Sequence, residues 1–214
     1  MKIAIIGATG FLGTSLTQEF TNRKHEVTAI SRSEKDSDIE NLKYVAVDVN
    51  DIEALASVLK GQDAVVSAYN PGWTNPNIYA DFLVGAKAIQ EAVKLSGVKR
   101  LITVGGAGSL FIDGKQLVDG PDFPADIKPG AVAAREYLDI IKEEKELDWA
   151  FFSPAIEMHP GITTGRTGKY RLGTESPVFN EEGRSILSGE DVAVVLADEV
   201  ENPKHHQVRF TAAY

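Results

Sequence analysis

The stretch Ile3-Ala4-Ile5-Ile6, followed at once by Gly7-Ala8-Thr9-Gly10-Phe11-Leu12-Gly13, constrains this chain more than any other part of it. Four consecutive apolar residues suit a strand buried on both faces, as in a parallel sheet. The G-x-x-G-x-x-G run after it reads as a turn into a helix. The first glycine permits the tight turn, the second lets backbone approach a pyrophosphate, and the third lets the helix pack closely on the strand. The helix N-terminus adds unpaired N–H groups and the positive end of its dipole. Lys2 before an apolar stretch is also how a signal peptide starts, but Gly7, Thr9, Gly10, Gly13 and Thr14 interrupt the stretch and no A-x-A cleavage pattern follows. The dinucleotide reading is the better one.

The rest of the chain repeats the strand–helix alternation. Further strands are expected at about 27–30, 44–47, 64–66, 101–104, 149–152 and 208–211, and helices at 11–22, 51–59, 78–95, 131–146 and 190–200. Such alternation implies a parallel sheet with right-handed crossovers. Residues 105–130 and 154–183 are rich in glycine and proline and too long for simple turns. Following strands, they would lie beyond the carboxyl edge of the sheet, where open α/β sheets bind ligands. The expectation is a single α/β domain over residues 1–214, a Rossmann-like doubly wound parallel sheet with a small C-terminal substrate lobe from about 105–130 and 154–188.

Composition narrows the chemistry. A chain of 214 residues, 43% of them hydrophobic, is long enough to hold its fold without crosslinks. With no cysteine, disulfides, thiolate catalysis, Cys-ligated zinc and iron–sulfur ligation are excluded, and a cytoplasmic location is expected. A net charge of −9 argues against nucleic-acid or anionic-lipid partners. No apolar run approaches the ~20 residues of a membrane span. P-loop and G-x-S-x-G patterns are absent, and His25, His159, His205 and His206 lack metal-ligand spacing. His205-His206 reads as a solvated turn after Pro203.

Gly7, Thr9, Gly10, Phe11 and Leu12 are the expected pyrophosphate cradle. The second strand ends at Ser31-Arg32, where an NAD-selective site would present an acidic residue to the ribose 2′-hydroxyl. Arg32 instead suits a 2′-phosphate, so NADP is favoured with NAD possible, although a solvated loop arginine gives the same sequence. Asp48 could accept from the adenine amino group or cap the following helix. Ala68, Tyr69 and Pro154 would flank the ribose and nicotinamide. Trp73 could stack on a flat substrate or close the core. His159, on the loop after the sixth strand, is either a loop residue or a catalyst.

These residues together resemble the atypical short-chain dehydrogenase/reductases, and within them the NADH-flavin reductase-like proteins related to NmrA-like proteins and biliverdin reductase B. The likeness spans nearly the whole chain. It rests on the glycine run, on Leu147-Asp148-Trp149 leading to Ser153-Pro154-Ala155, on Pro160-Gly161 with Thr167-Gly168-Lys169-Tyr170-Arg171-Leu172-Gly173, and on Ser185-Ile186-Leu187-Ser188 before Asp191-Val192-Ala193. The resemblance implies NADP(H) binding, a substrate lobe from the last third, and reduction of a small planar electron acceptor, a flavin or quinone taken as substrate and not as a tightly bound cofactor. Tyr69, Trp73, His159 and Tyr170 are the expected acceptor pocket.

One departure bears on mechanism. Typical short-chain dehydrogenases carry a Tyr-x-x-x-Lys pair in which lysine lowers the tyrosine pKa for proton transfer. Here Tyr137 is followed four residues later by Ile141, and Lys142 misses the register by one. Biliverdin reductase B carries a serine after the fifth strand; Gly106 stands there, with Ser109 the nearest hydroxyl. His159, Tyr137 and Ser109 are therefore the catalytic candidates. The alternative reading is a non-catalytic NADP(H)-sensing regulator of NmrA-like type. A monomer or a homodimer would serve either.

Overall fold

The computed structural model describes all 214 residues. Eight strands form one sheet, β1 (Lys2–Ile6), β2 (Glu26–Ser31), β3 (Leu42–Ala46), β4 (Ala64–Ser67), β5 (Arg100–Val104), β8 (Asp148–Ser153), β9 (Arg171–Gly173) and β10 (Val208–Ala213). Their spatial order is β3-β2-β1-β4-β5-β8-β10-β9, parallel throughout except for β9, which runs antiparallel to β10. Five helices flank it: α1 (Phe11–Asn22), α2 (Ile52–Leu59), α3 (Ile78–Ser96), α4 (Lys128–Ile141) and α5 (Gly189–Glu201). This is the Rossmann-like α/β architecture expected from the alternation of elements.

The apolar run of β1 explains the layering, because successive side chains point to opposite faces. Ile3 and Ile5 join Leu16 and Phe20 of α1 and Val192 and Leu196 of α5 on one face. Ala4 and Ile6 join Leu55 of α2, Ile89 of α3 and Tyr137 of α4 on the other. Both faces being covered, the central strands are mostly apolar, and all five residues of β5 are buried, Arg100 and Thr103 included.

Chain punctuation follows local chemistry. Asp51 caps α2 by accepting the Ala54 N–H at 3.1 Å, and Ser188 caps α5 by accepting the Asp191 N–H at 3.0 Å. α3 stops at Gly97, whose φ of +83° is left-handed. α4 begins three residues before the expected start because Pro129 fits a helix's first turn, and it ends at Ile141, five residues early. There the chain turns so that Glu144 accepts the Glu146 N–H and the Trp149 indole N–H. His205 is not simply solvated: its Nδ1 lies 2.7 Å from Glu199, and its ring stacks on Phe210 at 4.3 Å.

The two long segments carry structure that periodicity does not signal. Residues 105–127 hold two 3-10 turns and a small hairpin of β6 (Phe111–Ile112) and β7 (Lys115–Gln116) around Asp113-Gly114, both at positive φ. Residues 154–188 are strapped onto α1 and α5. Arg166 makes two hydrogen bonds to Glu19, and this pairing, with Arg23, holds the Glu19 carboxyl below its ordinary range against the effect of burial. Asp191 is fully buried and accepts from the backbone N–H groups of Thr167 and Gly168 and the hydroxyls of Thr167 and Tyr214. The two segments meet where the Phe111 N–H bonds the Glu175 carbonyl, and buried Arg209 joins the Ser109 carbonyl to the Glu175 carboxylate.

Candidate functional site

Strand order reverses at β1: the chain builds β2 and β3 to one side, then returns to build β4, β5, β8 and β10 on the other. The crevice beyond the carboxyl ends of β1 and β4 is therefore the topological switch point. The β1–α1 turn sits in it. Gly7 has φ +79°, and a Cβ there would lie 2.7 Å from the Ala68 carbonyl oxygen. A Cβ on Gly13 would overlap the Gly7 carbonyl oxygen and approach Ala8 Cα to 2.7 Å. These two glycines are required by the protein's own packing.

Gly10 is different. Its φ is an ordinary −76°, and the nearest atom to a Cβ would be the Gly7 oxygen at 3.3 Å. It is the N-cap of α1, yet no side chain caps this helix, and Thr9, Gly10 and Phe11 are exposed. An uncapped N-terminus with unpaired N–H groups, bare at Gly10, has the chemistry to hold a pyrophosphate. Leu12 is half-buried against the α1–α5 core, and the Phe11 ring lies over Gly189, leaving 42% of the residue exposed.

Around this cradle the structure gathers several of the expected residues. Arg32 is exposed just past β2, and no salt bridge or hydrogen bond engages its guanidinium. Ser31 does not share that freedom, since its hydroxyl donates to the Ser33 carbonyl at 2.7 Å. Asp48 accepts from the Asn50 backbone and side chain; of the two roles considered for it, helix capping falls to Asp51. Arg32 and Asp48 both lie close enough to Tyr69 to bias its phenol, which burial first and then Asp81 and Asp48 push up, with Arg32 opposing.

Tyr69 is packed against a helix. Its ring lies under α3, where a Cβ on Gly85 would overlap it, and its hydroxyl donates to the Asp81 carbonyl at 3.0 Å. The Ala68 and Tyr69 backbone, by contrast, lines the turn at Gly7. Trp73 does not close the core: it is 58% exposed and rests against Gly130 and Ile78.

The catalytic candidates are dispersed. Tyr137, on the buried face of α4, is 1% exposed, and burial holds its phenol well above its ordinary value, with Thr103 opposing. Ser109 is buried, donates to the Gly106 carbonyl, and pairs with fully buried Ser153 at 3.0 Å. Pro154 follows Ser153 directly and is buried. His159 is exposed on the loop after β8, with Nδ1 accepting the Gly161 N–H at 3.1 Å. Tyr170 packs on the α1–α5 face of the sheet, and its hydroxyl donates to Asp198 of α5 at 2.6 Å. Burial, then that hydrogen bond, raises its pKa. No group of three or more His, Asp and Glu could hold a metal ion, and no helix is long and apolar enough to cross a membrane.

Sequence reasoning assigned no role to Gly85, Gly130 or Arg209, and it read Ser153 only as part of a motif. The glycines each admit one aromatic ring, and only a three-dimensional neighbour reveals that. Asp191 and Thr167-Gly168 were visible as quoted motifs whose shared purpose, a buried carboxylate gathering a loop, needed the structure.

With this geometry in place, comparison with known proteins is decisive at one level. A family model described as NAD(P)H-binding matches residues 7–203. The chain belongs to that family. An uncharacterized Bacillus subtilis protein, YwnB, is 36% identical over 99% of this chain and 97% of its own length. A Bacteroides thetaiotaomicron structure assigned provisionally as an epimerase is 45% identical with TM-score 0.91, covering 100% of this chain and 96% of its own. A Streptococcus pneumoniae structure assigned provisionally as an NADH-flavin reductase is 36% identical with TM-score 0.85, covering 100% and 99%. Proteins similar to this chain thus share its fold while carrying names from different reactions.

The glycines can be separated experimentally. Gly13→Ala should lower unfolding free energy in urea by about 1–3 kcal/mol, the usual range for forcing atoms into a packed interior, whereas Gly10→Ala should change it by less than about 1. Equal losses for the two would contradict the packing assigned to Gly13.

Proposed function

We propose that the chain is an NAD(P)H-dependent oxidoreductase that holds NADPH across the β1–β4 crevice and presents it to a flat, electrophilic acceptor of flavin or quinone type. Gly7, Thr9, Gly10, Phe11 and Leu12 would hold the pyrophosphate, Arg32 the 2′-phosphate, Asp48 the adenine amino group, and the Ala68–Tyr69 backbone with Pro154 the ribose and nicotinamide. When bound, the nicotinamide supplies the hydride. Residues 105–130 and 154–188 would form the acceptor side of the site.

The observation that carries this reading is the absence of a poised proton donor beside an intact cradle. Tyr137 is buried with its phenol raised, Ser109 is paired with Ser153, and His159 is held in its own loop. Reducing an unactivated ketone needs an acid at the developing alkoxide, and epimerising a sugar needs acid–base groups at a carbon. A quinone or flavin needs neither at the moment of hydride arrival. For such acceptors, alignment and exclusion of competing geometries supply the catalysis.

The same missing acid also suits a regulator that binds NADP(H) without turnover, and fold alone does not separate the two. Oxidation of NADPH with FMN, FAD, quinones and azo dyes does. Turnover with these, and negligible oxidation of secondary alcohols with NADP⁺, is expected. Binding of NADPH without oxidation by any of them would favour the regulator, and brisk alcohol oxidation would reveal an acid among the groups above. Cofactor choice has its own test: Arg32→Ala should weaken NADPH binding by about 1.5–3 kcal/mol, the range for charged hydrogen bonds, and leave NADH nearly unchanged. Equal losses would remove Arg32 from the 2′-phosphate.

A further inference from the structure

Arg209 is the second residue of β10, and its side chain is 3% exposed, yet the carboxylate that answers it belongs to Glu175, whose side chain is 63% exposed. A buried guanidinium is costly unless its donors are filled. Here they are filled from two directions. Nη2 bonds the Glu175 carboxylate and Nη1 bonds the Ser109 carbonyl, while the guanidinium carbon lies 5.4 Å from the centre of the Phe111 ring. Its Nε is buried with no partner, so the cation depends on these contacts with the two long segments. One side chain of β10 thus reaches residues 105–127 at Ser109 and Phe111, and residues 154–188 at Glu175.

Ser109 carries the contact onward. Its carbonyl takes a second bond from Gln116 Nε2 at 3.2 Å. Its hydroxyl donates to the Gly106 carbonyl at 3.0 Å, which leaves Ser153 as the donor in the 3.0 Å Ser109–Ser153 pair. Gly106 stands two residues past β5, and Ser153 ends β8 just before Pro154, so both partners lie at the carboxyl edge of the sheet. A line of polar contacts therefore runs from an exposed carboxylate, through a buried cation and a 3-10 turn, to the edge that carries the crevice. The rigid guanidinium fork can hold a carboxylate and a carbonyl at once in fixed geometry, which a lysine ammonium on its flexible stem does not.

We propose that Arg209 is a positioning residue for hydride transfer: by fixing Ser109 between the two segments, it sets where the 106–109 turn and Pro154 stand at the nicotinamide end of the crevice. The proposal rests on the oxidoreductase reading above and adds to it a residue that touches neither cofactor nor acceptor. Near-attack geometry tolerates little displacement, so loosening the turn slows the hydride step. Cofactor affinity is set elsewhere. The pyrophosphate cradle follows β1, and three strands lie between β1 and β10.

Two measurements on the full chain test this. With NADPH and a flavin or quinone acceptor, Arg209→Met and Arg209→Lys should each lower kcat about tenfold or more while the Kd for NADPH stays within about twofold. Glu175→Ala removes only an exposed carboxylate, so it decides the question even where an Arg209 variant fails to fold. In hydrogen–deuterium exchange it should raise uptake at residues 171–176 and also at the Ser109 and Leu110 amides, whose own bonds lie within the turn. Wild-type kcat in folded Arg209→Met, or exchange confined to 171–176 in Glu175→Ala, would overturn the assignment. A matching loss of NADPH affinity in the Arg209 variants would overturn it too, since a general loosening of the fold would then be the cause. Coupled exchange in a protein that oxidises NADPH with none of these acceptors would keep Arg209 as the link between the segments and overturn the oxidoreductase reading instead.

Discussion

The contact on which the architecture turns is the one between the Gly13 backbone and the Gly7 carbonyl. Because neither residue carries a side chain, α1 can start against the end of β1, with its first N–H groups at the sheet's carboxyl edge. Any Cβ at residue 13 would push the helix outward and move the anion-binding end of its dipole off the crevice. The same turn closes onto the Ala68 carbonyl, so strand β4 is drawn to the position where a nicotinamide half would have to rest. One backbone approach therefore sets both ends of the cradle.

The other end of α1 holds the second half of the molecule. Glu19, Arg23, Asp198 and Glu201 join α1 to α5, and Arg166 brings the post-β8 segment into the same network. Further along that segment, the buried carboxylate of Asp191 gathers Thr167, Gly168 and Tyr214. A carboxylate taken fully out of water requires its lone pairs to be filled, and here four donors fill them. The long loop is thus ordered by charge where it has few apolar residues to bury.

Most of the fold was legible in the residues because the governing rules are local. A doubly buried strand favours a continuous apolar run, and Ile3–Ile6 of β1 and Ala64–Val66 of β4 supply one; the glycine run has one structural context in which it makes sense. Helix ends were less legible: α4 starts at Lys128 because Pro129 tolerates a first turn, and it stops at Ile141 because Glu144 bends the chain through its own carboxylate. The hairpin at Phe111–Gln116 is too short to show a period, and only Asp113-Gly114 hinted at it. Side-chain direction was legible least of all. Tyr69 follows the end of β4 and Tyr170 lies on the long segment after β8, both where pocket residues would be sought, yet one ring fills the hollow over Gly85 and the other reaches Asp198. Which way an aromatic turns depends on where a distant residue lacks a side chain or offers an acceptor, and spacing along the chain carries no trace of that.

The central claim is that this protein aligns a nicotinamide with its acceptor and leaves protonation to water. The most direct test is the single-turnover rate of hydride transfer from bound NADPH to a flavin as a function of pH. With no side chain required to titrate, the rate should vary little between about pH 6 and 8.5, the span over which an ordinary histidine changes charge. His159→Ala and Tyr137→Phe should each cost less than about tenfold, or ~1.4 kcal/mol of barrier. A bell-shaped profile for the isolated hydride step, with one limb abolished by His159→Ala, would contradict the account and make that histidine the general acid.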